Sequence, residues 1–588
     1  MKVFSSRITF QRISAFLLLT GCLLLVLAWR GVFPAAWMAK LVSSDRVLTD
    51  SFVHLLQRSQ WTLAWLLILI SPAAFVGHRL CTRIRRLLVS PGDGAAGLAI
   101  GLLALVLCLG TQHFVLEGIP HVTDETCHDF QSKLFVAGRA YAPLPDCPFN
   151  FYQHQVLMMN SGKWFSKYPP GHPLLLAVGR VLGMPGLIVP LASAVSAVAL
   201  MFIVSRFYGR SVGRCAALLF ALSPLTILLG ASYMSHTTFL ACLLLALLAF
   251  IRAMDQDPVR RGGAAALAAG LFAGWAALIR PQDCIPIAIP ALAALIAMDR
   301  DTRIRALQLA SLALVGLIPA LAVQLAWNHQ TYGRLFVLGY GYSTQGLMFL
   351  PIQTGFDFLN SYSFGRALSY TGWSLLRFDN ALFGWPVSLL PLPFAFMRGR
   401  TTKADWVCLI GCAAIVLFFL PWQYFGAEYE ARFYSPMAPL AIVLCARGLQ
   451  NLHRWMSGRL SADVARSLTF TLPALFFLHA LFFFWPCYLW PKYSDGYEQA
   501  SPVIHRLARE QDISNALVLI DSTGENEFRY SSGFIYNDPL LTNRVIYARD
   551  IREMNDCLFN AFRARRIFRF VPNADWKHGR FEEIAGPE

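Results

Sequence analysis

Residues 120–173 read PHVTDETCHDFQSKLFVAGRAYAPLPDCPFNFYQHQVLMMNSGKWFSKYPPGHP, which is the longest polar interval in the first half of an otherwise apolar chain. The interval follows an apolar run at about 94–116. It opens with the acidic pair Asp124-Glu125 and closes with a turn at Lys167–His172. Chemistry in this interval would indicate a membrane enzyme, whereas a plain connecting loop would suit a transporter equally well.

The composition of the chain indicates a membrane protein. The sequence is 56% hydrophobic and 13% aromatic, with a mean hydropathy of +0.49, which is too apolar for a soluble protein of this length. Apolar runs long enough to cross a membrane as helices recur along the chain. They predict an all-α polytopic membrane protein with about 13 transmembrane helices. They lie at about 13–34, 61–77, 94–116, 186–205, 212–230, 235–251, 263–279, 283–298, 306–326, 380–397, 405–421, 436–450 and 467–490.

Basic residues predict the orientation of the chain in the membrane. Lys2, Arg7 and Arg12 precede the first apolar run, and every second loop after it is rich in arginine. This is the positive-inside pattern. We therefore expect a multi-pass protein of the inner (plasma) membrane with a cytoplasmic N-terminus. The net charge of +16 then reflects topology and indicates no nucleic-acid partner.

Three regions are predicted from the same patterns. Residues 1–92 form an N-terminal extension with two transmembrane helices. Residues 93–490 form the main transmembrane region, in which 117–185 is the first long external loop. Residues 491–588 form a small extracytoplasmic α/β domain.

The C-terminal region and the external loops carry their own patterns. Helix-like stretches at 501–510 and 550–562 alternate with strand-like runs at 516–520, 545–547 and 567–571. Amphipathic helices in the external loops are expected at 124–139 and within 328–379.

The acidic pair opens the first of these loop helices, which is expected to lie on the membrane surface. Neighbouring residues on a helix point about 100° apart, so Asp124 and Glu125 cannot share one face. One carboxylate can face a cavity while the other takes a structural partner. The alternative is that both carboxylates simply favour the positive end of the helix dipole.

The turn that closes the interval supplies a second candidate group. Its two consecutive prolines stop any helix and would fix Lys167 and His172 near the membrane face. Lysine is a compact binder of phosphate. A lysine that snorkels beside an aromatic belt would give the same pattern.

A disulfide and a metal site are two further options within the interval. Cys127 and Cys147 are both predicted to lie outside the membrane, where they could pair or remain free thiols. Asp129 and His128 are candidate ligands for a divalent metal. The sequence offers no secure ligand set, and no other cofactor is indicated.

Four more polar residues lie where predicted spans end. His236 opens one span, where a structural histidine is the more common case. Arg280 lies between two apolar runs and should face a cavity or lipid headgroups. Glu430 and Arg432 precede a later span together with Glu428, and an internal Glu–Arg pair explains them as well as a binding role does.

The order of these features resembles the GT-C membrane glycosyltransferases. The acidic pair, the amphipathic segment and the Ser166–Gly171 turn resemble glycosyltransferase family 39 in particular. That group holds the dolichyl-phosphate-mannose–protein mannosyltransferases and the aminoarabinose transferases. The resemblance covers about residues 94–490, and the two N-terminal helices depart from the simplest family layout. It implies a GT-C fold and an inverting transfer of a hexose or pentose from a polyprenyl-phosphate donor to a hydroxyl acceptor on the extracytoplasmic face.

The resemblance also implies roles for individual residues. Asp124 would act as general base on the acceptor hydroxyl. Glu125, the second residue of the catalytic pair, would position the loop or help to hold the acceptor. The basic residues that would hold the donor phosphate are Lys167, Arg280 and Arg432. The residues expected to position the substrates are Tyr168, His172, His236 and Glu430.

The expected partners are a polyprenyl-phosphate-linked sugar, a glycan, lipid or protein acceptor, and membrane lipids. The sequence has no P-loop, Rossmann glycine fingerprint or HExxH zinc signature. The alternative function is that of a secondary transporter or a lipid-linked sugar flippase. Such a protein would need ionisable groups near the middle of the bilayer, whereas the charges here gather at the ends of the spans.

Overall fold

The computed structural model describes residues 18–27, 60–61, 64, 67–68, 91–256, 258–337, 339, 342–343, 346–347, 364–422, 428–573 and 578–585. Helices make up most of the body of the molecule. In chain order they are α1 (Leu18–Leu27), α2 (Asp93–Phe114), α3 (Thr123–Val136), α4 (Gly171–Val181), α5 (Ile188–Tyr208), α6 (Arg210–Leu222), α7 (Pro224–Ala231), α8 (Ser235–Met254), α9 (Val259–Ile279), α10 (Pro281–Ala297), α11 (Arg300–Tyr332), α12 (Phe364–Phe383), α13 (Lys403–Phe419), α14 (Ala438–Ser457), α15 (Ala462–His479) and α16 (Trp490–Tyr493).

Within the described residues, six helical segments are long and apolar enough to cross a membrane. There are seven if α6 and α7, which are bent by 58° at a short break, form one span. These helices confirm the multi-pass prediction, while the number of thirteen spans stays a prediction. The main hydrophobic core joins α2 and α5–α8 to α12–α14.

The apolar run expected at 380–397 is not one helix. Helix α12 ends at Phe383, because Gly384 takes a positive φ of 70°. A Cβ at this glycine would come within 2.8 Å of the Cβ of Ala480. Pro386 then follows in a turn, so the apolar sequence continues without the helix.

The first long loop folds into α3 and a small antiparallel sheet. Its strands are β1 (Ala142–Pro143), β2 (Val156–Met159) and β3 (Lys163–Ser166), in the order β1-β3-β2. The predicted loop helix is present, but the expected exposed polar face is not. Glu125, His128 and Gln131 of α3 are buried. The remaining face of the helix packs against the C-terminal domain.

The C-terminal domain is built on a four-stranded sheet of order β7-β6-β8-β9, with β6 parallel to both of its neighbours and β9 antiparallel to β8. The three predicted strands and both helices are found, whereas β9 was not expected. In chain order the elements are α17 (Val503–Glu510), β6 (Ala516–Asp521), α18 (Ser531–Phe534), β7 (Val545–Asp550), α19 (Asn555–Ala561), β8 (Arg566–Pro572) and β9 (Gly579–Ala585). The short antiparallel strands β4 (Tyr342–Ser343) and β5 (Gly346–Leu347) lie between α11 and α12 in the chain.

The C-terminal domain is joined to the first long loop. The Phe534 ring stacks on Phe130 of α3 at 5.4 Å between centroids, and the two parts share one hydrophobic core. A disulfide connects Cys147 to Cys557, which are 410 residues apart. The pairing of Cys127 with Cys147 considered from the sequence is therefore wrong. Cys127 is a buried free thiol that donates to Ser166 Oγ at 2.9 Å.

Candidate functional site

Asp124 lies in the first turn of α3 and presents a carboxylate that is 18% exposed. The Tyr168 hydroxyl donates to its Oδ1 at 2.6 Å. The guanidinium of Arg432 approaches its Oδ2 at 3.2 Å. Tyr168 and Arg432, two candidate residues from distant parts of the sequence, thus both contact the carboxylate of Asp124.

The neighbouring carboxylate of Glu125 is fully buried. Its Oε2 accepts hydrogen bonds from the backbone amides of His121 at 2.8 Å and Val122 at 3.0 Å, and from the Tyr429 hydroxyl at 2.9 Å. Its Oε1 accepts from the backbone amide of Tyr233 at 2.7 Å. Burial raises the pKa of Glu125, and the backbone hydrogen bonds oppose this rise. Glu125 therefore ties the start of α3 to two other loops, and its geometry is that of a positioning residue.

The short segment before α4 brings the turn close to α9. Lys167 and Tyr168 follow the end of β3 at Ser166, and Gly171 then begins α4. A Cβ at Gly171 would lie 2.8 Å from the backbone carbonyl of Leu278, so only glycine fits at this approach. The Pro-Pro-Gly turn seen in the sequence therefore fixes where Lys167 and Tyr168 point.

Lys167 is half-buried beside Asp124. Its ammonium lies 5.2 Å from the centroid of the Tyr168 ring. Burial lowers the pKa of Lys167, and the nearby charge of Asp124 opposes this effect. In the described part of the chain, no carboxylate is within ion-pair distance of this ammonium. A cation in this position costs free energy unless an anion completes the site.

The two predicted arginines are buried and ion-paired. Arg432 bridges Asp124 and Glu428, the second at 3.1 Å. Arg280 pairs with Asp283 and lies 3.5 Å from the Ser235 hydroxyl. The internal Glu–Arg pair considered from the sequence is present as Glu428–Arg432. The guanidinium of Arg432 also contacts the carboxylate of Asp124.

Three histidines lie behind this cluster. His172 uses both ring nitrogens, 2.9 Å from Thr238 Oγ1 and 2.9 Å from the Tyr233 carbonyl. Burial lowers the pKa of His172 to about 4, so its ring is neutral. His128 is buried with its ring 4.8 Å from that of His172, and its Nδ1 has no partner among the described residues. His236 is 4% exposed, and neither of its ring nitrogens has a partner in the same part of the chain.

Glu430 was expected to position substrates and Asp129 was a candidate metal ligand, but both form ion pairs with other residues of the protein. Glu430 pairs with Arg377 at 3.2 Å and with Lys492 at 2.6 Å, which places it in a separate ion-pair cluster. Asp129 pairs with Arg180 and, at 3.1 Å, with Lys133.

The structure does not support the predicted metal site. The carboxylate of Asp129 is occupied by two cations, so it is no metal ligand here. Among the described residues, no group of three or more His, Cys, Asp or Glu side chains could hold a metal ion.

Three groups of the site were given no functional role in the sequence analysis, where Glu428 was considered only as a partner of Arg432. They are Glu428, Asp283 and the hydroxyl of Tyr429, which lock Arg432, Arg280 and Glu125 in place. Their only sequence signal is closeness to a basic residue at the end of a span. Tyr429 contacts Glu125 across 304 residues, so no local pattern could have found it.

The fold is that of a GT-C membrane protein. The structure of ArnT from Cupriavidus metallidurans bound to undecaprenyl phosphate matches 79% of this chain and 87% of its own, with 14% identity and a TM-score of 0.50. An Archaeoglobus fulgidus oligosaccharyltransferase tethered with an acceptor peptide matches 77% of this chain and 60% of its own, with 13% identity and a TM-score of 0.47.

The sequence of the central helices resembles one particular family. Residues 169–327 match the dolichyl-phosphate-mannose-protein mannosyltransferase family model. A comparison with curated protein sequences gave no match. The predicted resemblance is confirmed: the chain has the fold of a GT-C multi-pass membrane protein, and its residues 169–327 resemble this mannosyltransferase family. The matched segment includes Arg280, His172 and His236, whereas Asp124 and Arg432 lie outside it.

Proposed function

We propose that the protein transfers a hexose or pentose, with inversion, from a polyprenyl-phosphate donor to a hydroxyl acceptor on the extracytoplasmic face of the inner (plasma) membrane. The observation that carries this proposal is the position of Lys167. A half-buried ammonium without an ion-pair partner in the described chain lies beside the carboxylate of Asp124, which is 18% exposed. An anion and a neutral acceptor could occupy the two neighbouring positions.

The donor phosphate would be held by Lys167, Arg280 and Arg432. Each cation presents N–H groups that form charge-assisted hydrogen bonds with phosphate oxygens. As the bond between the sugar C1 and the phosphate oxygen breaks, negative charge grows on the leaving phosphate, and the fixed cations stabilise it. The unpartnered ring nitrogens of His236 are available to orient the same substrate.

Asp124 would serve the acceptor. The acceptor hydroxyl oxygen forms the new bond to the sugar C1 while its proton passes to the Asp124 carboxylate. The Tyr168 hydroxyl and Arg432 hold that carboxylate in one orientation. Glu125, His172 and Glu430 are assigned to positioning the loops and not to contact with substrate.

The proposed orientation has independent support. The positive-inside pattern places the N-terminus in the cytoplasm and the C-terminal domain outside. The disulfide between Cys147 and Cys557 also fits an oxidising compartment. Both observations support the proposed position of Asp124 on the outer face of the membrane.

The test compares the wild-type protein with Asp124→Asn in proteoliposomes. Radiolabelled polyprenyl-phosphate sugars serve as donors and a crude cell-envelope fraction as acceptor. Asp146→Asn, an exposed carboxylate of the same loop, is the matched control. We expect label transfer to fall by about 100-fold or more in Asp124→Asn and to persist in the control.

Two outcomes would contradict the proposal. Equal transfer by both variants would remove Asp124 from the mechanism. Movement of the donor across the bilayer without any transfer to acceptor would favour a lipid-linked sugar flippase.

A further inference from the structure

A cavity lies at the end of the helix bundle away from Asp124. It has a volume of about 570 Å³ and opens between α6, α14 and α15, a size within the range of small-molecule sites. Its wall is apolar and includes Leu219, Leu449 and Phe476. Helix α14 begins next to the Arg432 segment, and the cavity lies near its other end, about 24 Å along the axis.

The rim of this cavity is basic. Arg454 and Arg466 contribute to it, as does the buried Arg214. Arg214 is neutralised by Asp93 at 2.7 Å. Arg454 is exposed and makes no ion pair in the described part of the chain. The rim therefore carries positive charge that the described residues leave uncompensated.

An exposed tryptophan indicates where this rim lies relative to the membrane surface. Trp455, the neighbour of Arg454, is 39% exposed, and the guanidinium of Arg459 lies 4.4 Å from its ring centroid. Exposed tryptophan beside arginine is typical of the boundary between hydrocarbon and headgroups. An apolar cavity with a basic rim at this depth matches a lipid in both its chain and its headgroup.

We propose that this cavity binds a hydrocarbon chain of an anionic phospholipid whose phosphate is held by Arg454 and Arg466. The positive-inside pattern places this end of the bundle in the cytoplasmic leaflet, where anionic lipids gather near basic residues. The site is separate from the cluster around Asp124 and does not depend on the proposed transfer reaction.

The test uses the full-length protein in nanodiscs that contain a photoreactive phosphatidylglycerol. A photoreactive phosphatidylcholine with identical chains is the comparison lipid. Peptide mapping should place the phosphatidylglycerol label on α6 and α15. Each basic residue near a membrane surface strengthens the binding of anionic lipid, so Arg454→Gln/Arg466→Gln, which removes two, should reduce this labelling by roughly 30-fold.

Controls separate the cavity from the general charge of the surface. Arg459→Gln removes a charge at the same end of α14 and should leave the labelling unchanged. Leu219→Trp fills the cavity and should reduce labelling by both lipids. Equal labelling by the two lipids, or no effect of the double variant, would overturn the proposal. Displacement of the label by polyprenyl phosphate but not by unlabelled phosphatidylglycerol would overturn the assignment to a phospholipid.

Discussion

Asp124 and Glu125 are adjacent in the chain, yet their carboxylates lie in different surroundings. Asp124 is 18% exposed and meets Tyr168 and Arg432. Glu125 is fully buried and accepts hydrogen bonds from three backbone amides and one hydroxyl. The turn of about 100° between helix neighbours separates them, so one carboxylate is available for chemistry while the other holds the helix in place.

Tyr168→Phe should lower the rate of transfer. The variant keeps the ring but removes the hydroxyl that orients Asp124. A hydrogen bond of this kind contributes about 0.5–1.5 kcal/mol, so kcat should fall by about 2- to 10-fold with little change in the KM for donor. Steady-state kinetics in proteoliposomes measure both constants. Tyr141→Phe, an exposed tyrosine of the same loop, is the control. An unchanged kcat would show that the hydroxyl has no role.

Lys167→Gln should raise the KM for the polyprenyl-phosphate donor. Loss of a charged hydrogen-bond partner costs about 1.5–3 kcal/mol, which is about a 10- to 100-fold change. Lys163→Gln is the matched control, because Lys163 begins the strand that leads into Lys167 and its ammonium donates to the Gln330 carbonyl outside the site. A similar loss in both variants would indicate damage to the strand and not to an anion site.

The same lysine predicts a pH dependence of donor binding. Burial lowers the pKa of Lys167, and only the protonated form attracts phosphate. Donor affinity should therefore be complete below this lowered pKa and fall as the pH rises through it. In Lys167→Arg the guanidinium stays charged, so the fall should disappear from the accessible range. Donor titrations from pH 6 to 10 would measure the effect, and identical profiles for the two proteins would argue against it.

Glu430→Gln should destabilise the protein. Burial would raise the pKa of Glu430, but the charges of Lys492 and Arg377 hold it at about 2. Removing the carboxylate leaves two cations without their partner, which costs about 3–5 kcal/mol. Thermal unfolding should show a lower Tm, whereas the exposed Glu527→Gln should be close to wild type.

The Glu430 cluster also fixes the direction of acid sensitivity. The pKa of Glu430 in the folded protein lies below its ordinary value of 4.5. Its stabilising contribution is therefore present above pH 4.5 and is lost as the pH falls toward 2. The wild-type protein should lose Tm over this range more steeply than Glu430→Gln. Parallel curves would contradict the assignment.

The disulfide gives a direct test of the corrected cysteine pairing. A non-reduced digest should contain one linked peptide pair holding Cys147 and Cys557. The pair should persist in Cys127→Ser and vanish in Cys557→Ser. Loss of the bridge should cost about 2–5 kcal/mol, seen as a lower Tm. A linked peptide containing Cys127 would contradict the structure.

Local sequence signals predicted those parts of the fold that depend on the composition of short segments of the chain. Apolar runs predicted the body of helices, and alternating runs predicted β6, β7 and β8. Polar residues at the ends of apolar runs, such as Asp124 and Arg432, were found because charges are rare in such a chain. The break after α12 depends on the contact between Gly384 and Ala480, and the apolar run around 380–397 gives no sign of it.

Long-range pairing accounts for most of what the sequence could not predict. Glu430 was considered a substrate residue because the segment that contains it resembles one in related transferases. Its partners Arg377 and Lys492 lie 53 and 62 residues away. Helix α3 was expected to have an exposed polar face because nothing local reveals that the C-terminal domain covers it. Such contacts depend on the three-dimensional arrangement and not on residue spacing.

The bridge between Cys147 and Cys557 has a consequence for how the protein is made. At about 5–20 residues per second, the ribosome needs roughly 20–80 s to add the 410 residues that separate the two cysteines. Throughout this time the loop that carries Asp124 has already been synthesised, but its covalent partner does not yet exist. A nascent chain halted before Cys557 would carry an unpaired Cys147 thiol, which membrane quality-control systems could use to recognise an unfinished product.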